Sequence, residues 1–290
     1  MVKQVRVIPA KNEGYWIECV YEVEQEHHDL DVNNIMSIDL GMNDLMTICD
    51  NLGNQPISMS GSEAKKINQW YNKEMARLKS DKARSNPRLA ELQRKREPGL
   101  SVDEWRELRE LLSDTKQMKT ITEKRNRRIN KIFHVASRKA IDIAISRKIG
   151  KITIGHNPGQ KQNLDNGKKF NQNFGMLPIF KLVSMLSYKS ELAGIEFNDD
   201  TEEFTSKASF KDNDAIPDRK KVRKKTNGHS DVTFSGKRVK RGLYISANGT
   251  QVHADVNAAY NIMRKACPEA LGLNGAGTRL YPKRVNINPG

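Results

Sequence analysis

The chain has 290 residues, 37% of them hydrophobic, with a mean hydropathy of −0.72. Lysine and arginine number 50 against 35 acids, a net charge of +15 and a pI near 9.7. That excess calls for a polyanionic partner, most commonly nucleic acid. No apolar run approaches the roughly 18 residues of a membrane span, and the N-terminus carries no signal-peptide pattern, so a cytoplasmic protein with no membrane partner is expected.

Residues 1–25 alternate apolar and polar and read as two strands joined near Asn12–Gly14. A polar linker over 26–34 follows. "IMSIDLG", "LMTICDN" and "PISMSG" then read as a three-stranded meander. From Ser62 the period becomes helical. The pattern breaks at Asn86–Pro87 and again at Glu97–Pro98–Gly99. Ser101 and Glu104 form a capping box. One long helix, or two in line, should run from there to about Arg147, with Trp105, Leu108, Leu112, Ile129, Ile132 and Phe133 among its apolar stripe. "GKITIGHN" is a buried-type strand, "MLPIFKLVSMLSYKSELAG" a helix ended by Gly194, and "IEFND" another strand. Residues 211–242 form a lysine-rich loop. "GLYISANGTQVHAD" reads as a hairpin or its relic, and "VNAAYNIMRKA" as the last helix. The tail from 272 is glycine- and proline-rich and reads as loose. Alternating strands and helices after a meander make an α/β fold with a mixed sheet. The three cysteines, Cys19, Cys49 and Cys267, are scattered and form no CxxC pair.

The candidate chemistry lies in acids far apart in sequence: Asp39 at a strand end, Glu202 or Glu203 after "IEFND", and Asp255 before the last helix. Without a counter-ion they would repel, and one or more would hold a proton. A pair of divalent cations would cancel that charge, activate a water and stabilise a leaving oxygen, which is the chemistry of phosphodiester hydrolysis. Each acid also has a plainer reading: Asp39 as a turn residue before Gly41, Asp255 as a helix N-cap. Lys207, Lys237, Arg238, Lys240 and Arg241 flank the supposed cleft and suit phosphate contacts, or they are a solvated charge run.

"MSIDLGMNDLMT", "ITIGHNPGQKQN", "GIEFNDDTEEFTSKASF", "FSGKRVKRGLYIS" and "HADVNAAYNIMRKA" together resemble the TnpB (OrfB) family of transposon-associated proteins, relatives of the type V CRISPR effectors. The resemblance runs from about Met36 to Ala266. It implies a RuvC-like nuclease with an RNase H fold, working on target DNA under a transposon-encoded guide RNA, with Mg²⁺ (Mn²⁺ also possible) held by an acid triad, in a prokaryotic, nucleoid-associated setting. Asp39 matches the first catalytic aspartate and Asp255 the last. In most relatives the middle acid ends the strand that here reads "ITIGHN", where Gly155 stands in its place. The sequence resembles a branch with the acid just before "TSKAS", so Glu202 is the middle candidate and Glu203 the second. The family's zinc-binding cysteine pairs are missing after "TSKAS", so no zinc is expected.

The resemblance implies this division: a wedge-like β segment over 1–30, a nuclease domain over 31–266 with a helical insertion at 62–148 and the basic loop at 211–242, and a flexible tail over 267–290. The short N-terminus fits a truncated member, a minimal one, or half of a split system that needs an N-terminal partner or a second copy. Alternatives to a nuclease are a non-cleaving RNA-guided or DNA-binding regulator, and an accessory subunit.

Overall fold

Along Asp31–Leu40 the side chains alternate between two faces of a strand, with Met36 and Ile38 fully buried on one and Ser37 and Asp39 on the other. The neighbouring strands keep the same division. In the computed structural model, which describes residues 1–9, 14–95, 99–156, 177–217, 232–272 and 278–287, this strand (β3) is central in a six-stranded sheet.

The chain divides into two compact units, Met1–Glu22 with Ala64–Lys131, and Val23–Glu63 with Ile132–Gly290. In the second, β3 pairs antiparallel with β4 (Asp44–Asp50), and β4 antiparallel with β5 (Ile57–Ser60). On its other side β3 pairs parallel with β6 (Ile149–Gly155), and β6 parallel with β7 (Glu196–Asp200). Read from β5 to β7, strand order in the chain is 3-2-1-4-5 with the meander antiparallel and the rest parallel, which is the RNase H arrangement. One face is paved by Met36, Ile38, Ile48, Ile152 and Ile154. The opposite face carries Ser37, Asp39, Thr47, Cys49, Thr153 and Gly155. The hydroxyls of Ser37, Thr47 and Thr153 are buried there with no hydrogen-bond partner among the described residues.

Helix α6 (Ala254–Ala266) covers this polar face, with Val256, Ala259 and Tyr260 packing on Cys49, and Met263 on Ile35. Helix α5 (Ile179–Leu192) ends before Gly194, whose φ of +73° suits glycine, and leads into β7. Lys189 of α5 donates to the Ser137 hydroxyl of α4 (Lys116–Ser146) at 2.7 Å.

The first unit holds β1 (Val2–Pro9) and β2 (Tyr15–Tyr21), an antiparallel pair whose Val5, Val7 and Ile17 share one exposed face. It also holds most of α1 (Ser62–Ser85), α2 (Pro87–Lys95), α3 (Val102–Leu112) and the first part of α4. Leu89 and Leu92 of α2 pack with Leu108 of α3, and Met75 and Leu78 of α1 with Met118 of α4.

The structure departs from the sequence reading at several points. The expected linker over 26–34 gives way to β3 from Asp31, whose N–H bonds the carbonyl of Lys148. Of the two alternatives for the stretch to Arg147, two helices form, with a break between Leu112 and Lys116, and Trp105 and Leu112 are exposed rather than core. Within the expected basic loop, Lys237–Lys240 forms β8, which pairs with β9 (Leu243–Ile245), itself paired with β10 (Gln251–Val252). In the expected loose tail, Lys283–Val285 forms β11, parallel to β5 at the sheet edge. Residues 12–13, the break at 97–98, "NPGQKQN" and the lysine-rich stretch 218–231 lie outside the described residues.

Candidate nuclease site

Asp39 sits one residue before the end of β3, inside the strand rather than in the turn. The turn that follows is tight: a Cβ on Gly41 would lie 2.6 Å from the carbonyl oxygen of Asp44, so only glycine fits. The Asp39 carboxyl is pushed well above the usual carboxylate range. Burial is the largest cause, then the charges of Asp255 and Glu202; Asp44 adds to them and Arg238 opposes them. Three other acids therefore bear on Asp39.

Asp255 lies in the first turn of α6, and the N-cap is His253, with no side-chain cap bond. The aspartate is therefore not the cap. Two backbone bonds fix this helix start: His253 N–H donates to the Leu280 carbonyl at 2.9 Å, and Ala254 N–H to the Gly242 carbonyl at 3.2 Å. Arg238 of β8 donates to Asp255 Oδ1 at 3.3 Å.

Glu202 follows β7, and Gly155 ends β6 in register with Asp200. A Cβ placed on Gly155 would fall 2.9 Å from Glu202 Cβ and 2.6 Å from Ile262 Cδ1. The space a strand side chain would fill is thus taken by the root of the Glu202 side chain. The segment after Glu202 is a turn, not the extended stretch that would send Glu202 and Glu203 to opposite sides. Thr205 bonds the Glu202 carbonyl through both its N–H (3.2 Å) and its hydroxyl (2.7 Å), and Phe204 is left-handed at φ +64°. Glu203 is part-exposed in the same turn.

Two buried asparagines of α6 hold this turn. Asn261 Nδ2 donates to the carbonyls of Thr205 (2.9 Å) and Ala208 (2.7 Å). Asn257 Nδ2 donates to Ala208 O at 2.8 Å, and its Oδ1 accepts from Phe210 N–H at 3.2 Å. At i and i+4 they share one helix face, so "NAAYN" clamps the loop that bears Glu202.

Two side chains that sequence reasoning missed stand beside the acids. Asp44 opens β4, is buried, and accepts from Ser58 Oγ (2.5 Å) and from Arg284 of β11 (3.2 Å). Asp44, His253 and Asp255 each offer a ligand atom, and the three atoms lie within 4.8 Å of one another. The local signals were slight: an acid five residues beyond Asp39, and a histidine two before Asp255. Their meeting depends on the fold.

Of the residues expected at phosphates, Lys207, Lys237, Lys240 and Arg241 are exposed, while Arg238 turns to Asp255. Cys19, Cys49 and Cys267 are free thiols. No helix among the described residues is long and apolar enough to cross a membrane.

Two family models match. One, described as a probable transposase (OrfB_IS605), covers residues 18–159; the other, the Cas12f1-like TNB domain, covers residues 180–262. No curated protein matches. Among solved structures, similarity extends to a Cas12f1–sgRNA–target DNA complex determined by cryo-EM, at 17% identity and a TM-score of 0.48, over 86% of this chain and 53% of that one. A CRISPR–Cas12f ternary complex, also from cryo-EM, is similar at 19% identity and a TM-score of 0.49, over 89% of this chain and 44% of that one. The chain thus spans about half the length of these two. With sequence matches falling on both sides of the helix α5 boundary and taking in Asp39, Glu202 and Asp255, the chain belongs to the TnpB (OrfB) family of transposon-associated proteins.

Proposed function

We propose that the chain is the core of an RNA-guided DNA endonuclease in which Asp39, Glu202 and Asp255 hold divalent cations, Mg²⁺ or Mn²⁺, at the scissile phosphodiester. The observation that carries this reading is Glu202 Cβ lying in the space left by Gly155, on the polar face where the charges of Glu202 and Asp255 bear on Asp39. The donor set fits a hard dication: carboxylate oxygens on a face of low apolar content, repelling one another without a counter-charge. Bound there, such ions supply an activated water and charge neutralisation at the leaving oxygen.

The protein's part is placement. Strand β3 fixes Asp39, the N-terminus of α6 favours the negative charge of Asp255, and the asparagine clamp sets Glu202. Lys207, Lys237, Lys240 and Arg241, all exposed, are offered as backbone contacts to guide RNA or target DNA. Base pairing would supply sequence recognition. Under this reading residues 31–266 form the nuclease with its helical insertion at 62–148, and residues 1–30 and 267–290 flank it. The exposed apolar face of β1 and β2 supports a further protein segment or a second copy there. The protein would act in the prokaryotic cytoplasm, at the nucleoid.

The test is cleavage of target DNA in Mg²⁺ with co-purified RNA. Asp39→Ala, Glu202→Ala and Asp255→Ala should each lower cleavage by orders of magnitude and keep nucleic-acid binding, while Glu203→Ala should keep most activity. A dead Glu203→Ala beside a normal Glu202→Ala would reassign the middle acid. One observation favours a non-cleaving binder: Arg238 and Arg284 already neutralise Asp255 and Asp44. A parent protein inert with its own RNA in every divalent metal would establish that reading.

A further inference from the structure

Asp44 and His253 have no part in the acid triad, yet both converge on Asp255. Asp44 is an acid with 6% of its side chain exposed. Its bonds from Ser58 and Arg284 both fall on Oδ1, and Oδ2 takes no partner among the described residues. Asp255 is alike, with Arg238 on Oδ1 alone. His253 Nδ1 is fully enclosed and has no hydrogen-bond partner among the described residues, a costly state for a ring nitrogen. The ligand atoms of all three lie within 4.8 Å of one another, yet His253 makes no ion pair or hydrogen bond with either acid. The gap is too wide for direct bonding and suits an atom between them.

We propose that Asp44, His253 and Asp255 form a cation site of their own beside the triad, taking a first-row transition dication such as Mn²⁺ in preference to Mg²⁺. An imidazole nitrogen raises affinity for transition dications, whereas an all-oxygen set suits Mg²⁺ and Ca²⁺. The inference shares Asp255 with the nuclease reading and extends it. The two arginines are the competitors: a dication entering the cluster meets guanidinium charge on both acids, so Arg284 and Arg238 set a threshold for loading.

The experiment uses the full chain, stripped of metal and nucleic acid, titrated with Mn²⁺ and followed by calorimetry and pulsed electron paramagnetic resonance. The parent should show ¹⁴N coupling to bound Mn²⁺, and His253→Ala should abolish it. Loss of an outer-sphere partner alone costs about 10–100-fold in metal affinity, so His253→Ala and Asp44→Asn should each weaken this Mn²⁺ site at least tenfold. Arg284→Ala should tighten it, which keeps the test informative if Asp44→Asn fails to fold. Absence of ¹⁴N coupling in the parent, or unchanged Mn²⁺ affinity in His253→Ala, overturns the site. Cleavage plays no part in this readout, so a parent that binds Mn²⁺ through nitrogen but never cuts would sink the nuclease reading and leave the site standing.

Discussion

Asp39 is an acid whose burial costs the fold stability. Burial and three neighbouring acids raise its pKa in the folded state, so the folded protein binds more protons than the unfolded chain between the ordinary carboxylate range and the raised value. Stability therefore falls as pH rises through that window. Asp39→Asn should raise the melting temperature of the metal-free protein at neutral pH, by roughly 2–4 °C per kcal/mol recovered, and the gain should shrink as pH drops toward 4. Thermal melts in a chelator across pH check this; a variant less stable than the parent at neutral pH would contradict it. Gly155 makes the opposite case, a residue that matters by lacking atoms. Gly155→Ala sets a methyl 2.9 Å from Glu202 Cβ and should cut cleavage at least tenfold at unchanged nucleic-acid affinity, since misplacing a catalytic group by about 1 Å can cost 10²-fold. A steady-state rate near the parent's would show that the turn absorbs the methyl. That Asp255 and Glu202 would come near Asp39 was legible because each stands in a recognisable stretch. Asp44 and His253 were not, because nothing near either in sequence marks it as facing Asp255.

At the scale of elements, helix α6 does two tasks. Its small and apolar residues sit on the sheet, and its asparagines hold the Glu202 turn. Asn261 is fully buried and serves two carbonyls, so Asn261→Ala leaves both without their donor. Losing such bonds costs about 1–3 kcal/mol. Denaturant unfolding should register that loss, and cleavage should fall alongside it while RNA binding holds. The strong periodic elements were readable: the capping box of Ser101 and Glu104 forms as expected, and so do the meander and the parallel strands. The failures have a common cause. Strands β8 and β11 span only four and three residues and exist through their partners, and β11 pairs with a strand more than 200 residues earlier. Trp105 and Leu112 kept helical spacing, but the packing of α3 runs through Leu108 instead.

For the whole molecule, the governing quantity is the charge of +15. Binding that rests on phosphate contacts releases counter-ions, so log affinity should fall with log salt at about −0.9 per duplex phosphate contacted. Filter binding between low and moderate salt measures the slope, and a flat response would rule out phosphate-driven binding. Replacing Lys237 and Lys240 together should make that slope shallower by roughly two, one for each contact removed, while leaving the metal-binding isotherm untouched. This expectation needs only the composition, because net charge is independent of how the chain folds.

The clamp on the Glu202 turn has a kinetic meaning. Asp39 and Asp255 are built into a strand and a helix, and cannot leave their places without melting the sheet. Glu202 hangs on a turn outside the strands, held by four side-chain hydrogen bonds with two asparagines. Such a segment opens at less than the global unfolding free energy. If the proposed nuclease reading holds, the site has an idle state close at hand, in which one carboxylate swings out while the scaffold stays whole. In hydrogen exchange the Phe210 amide should exchange faster than those of β6, and Asn257→Ala should widen the difference. Equal protection of the two would mean that the turn is as permanent as the sheet.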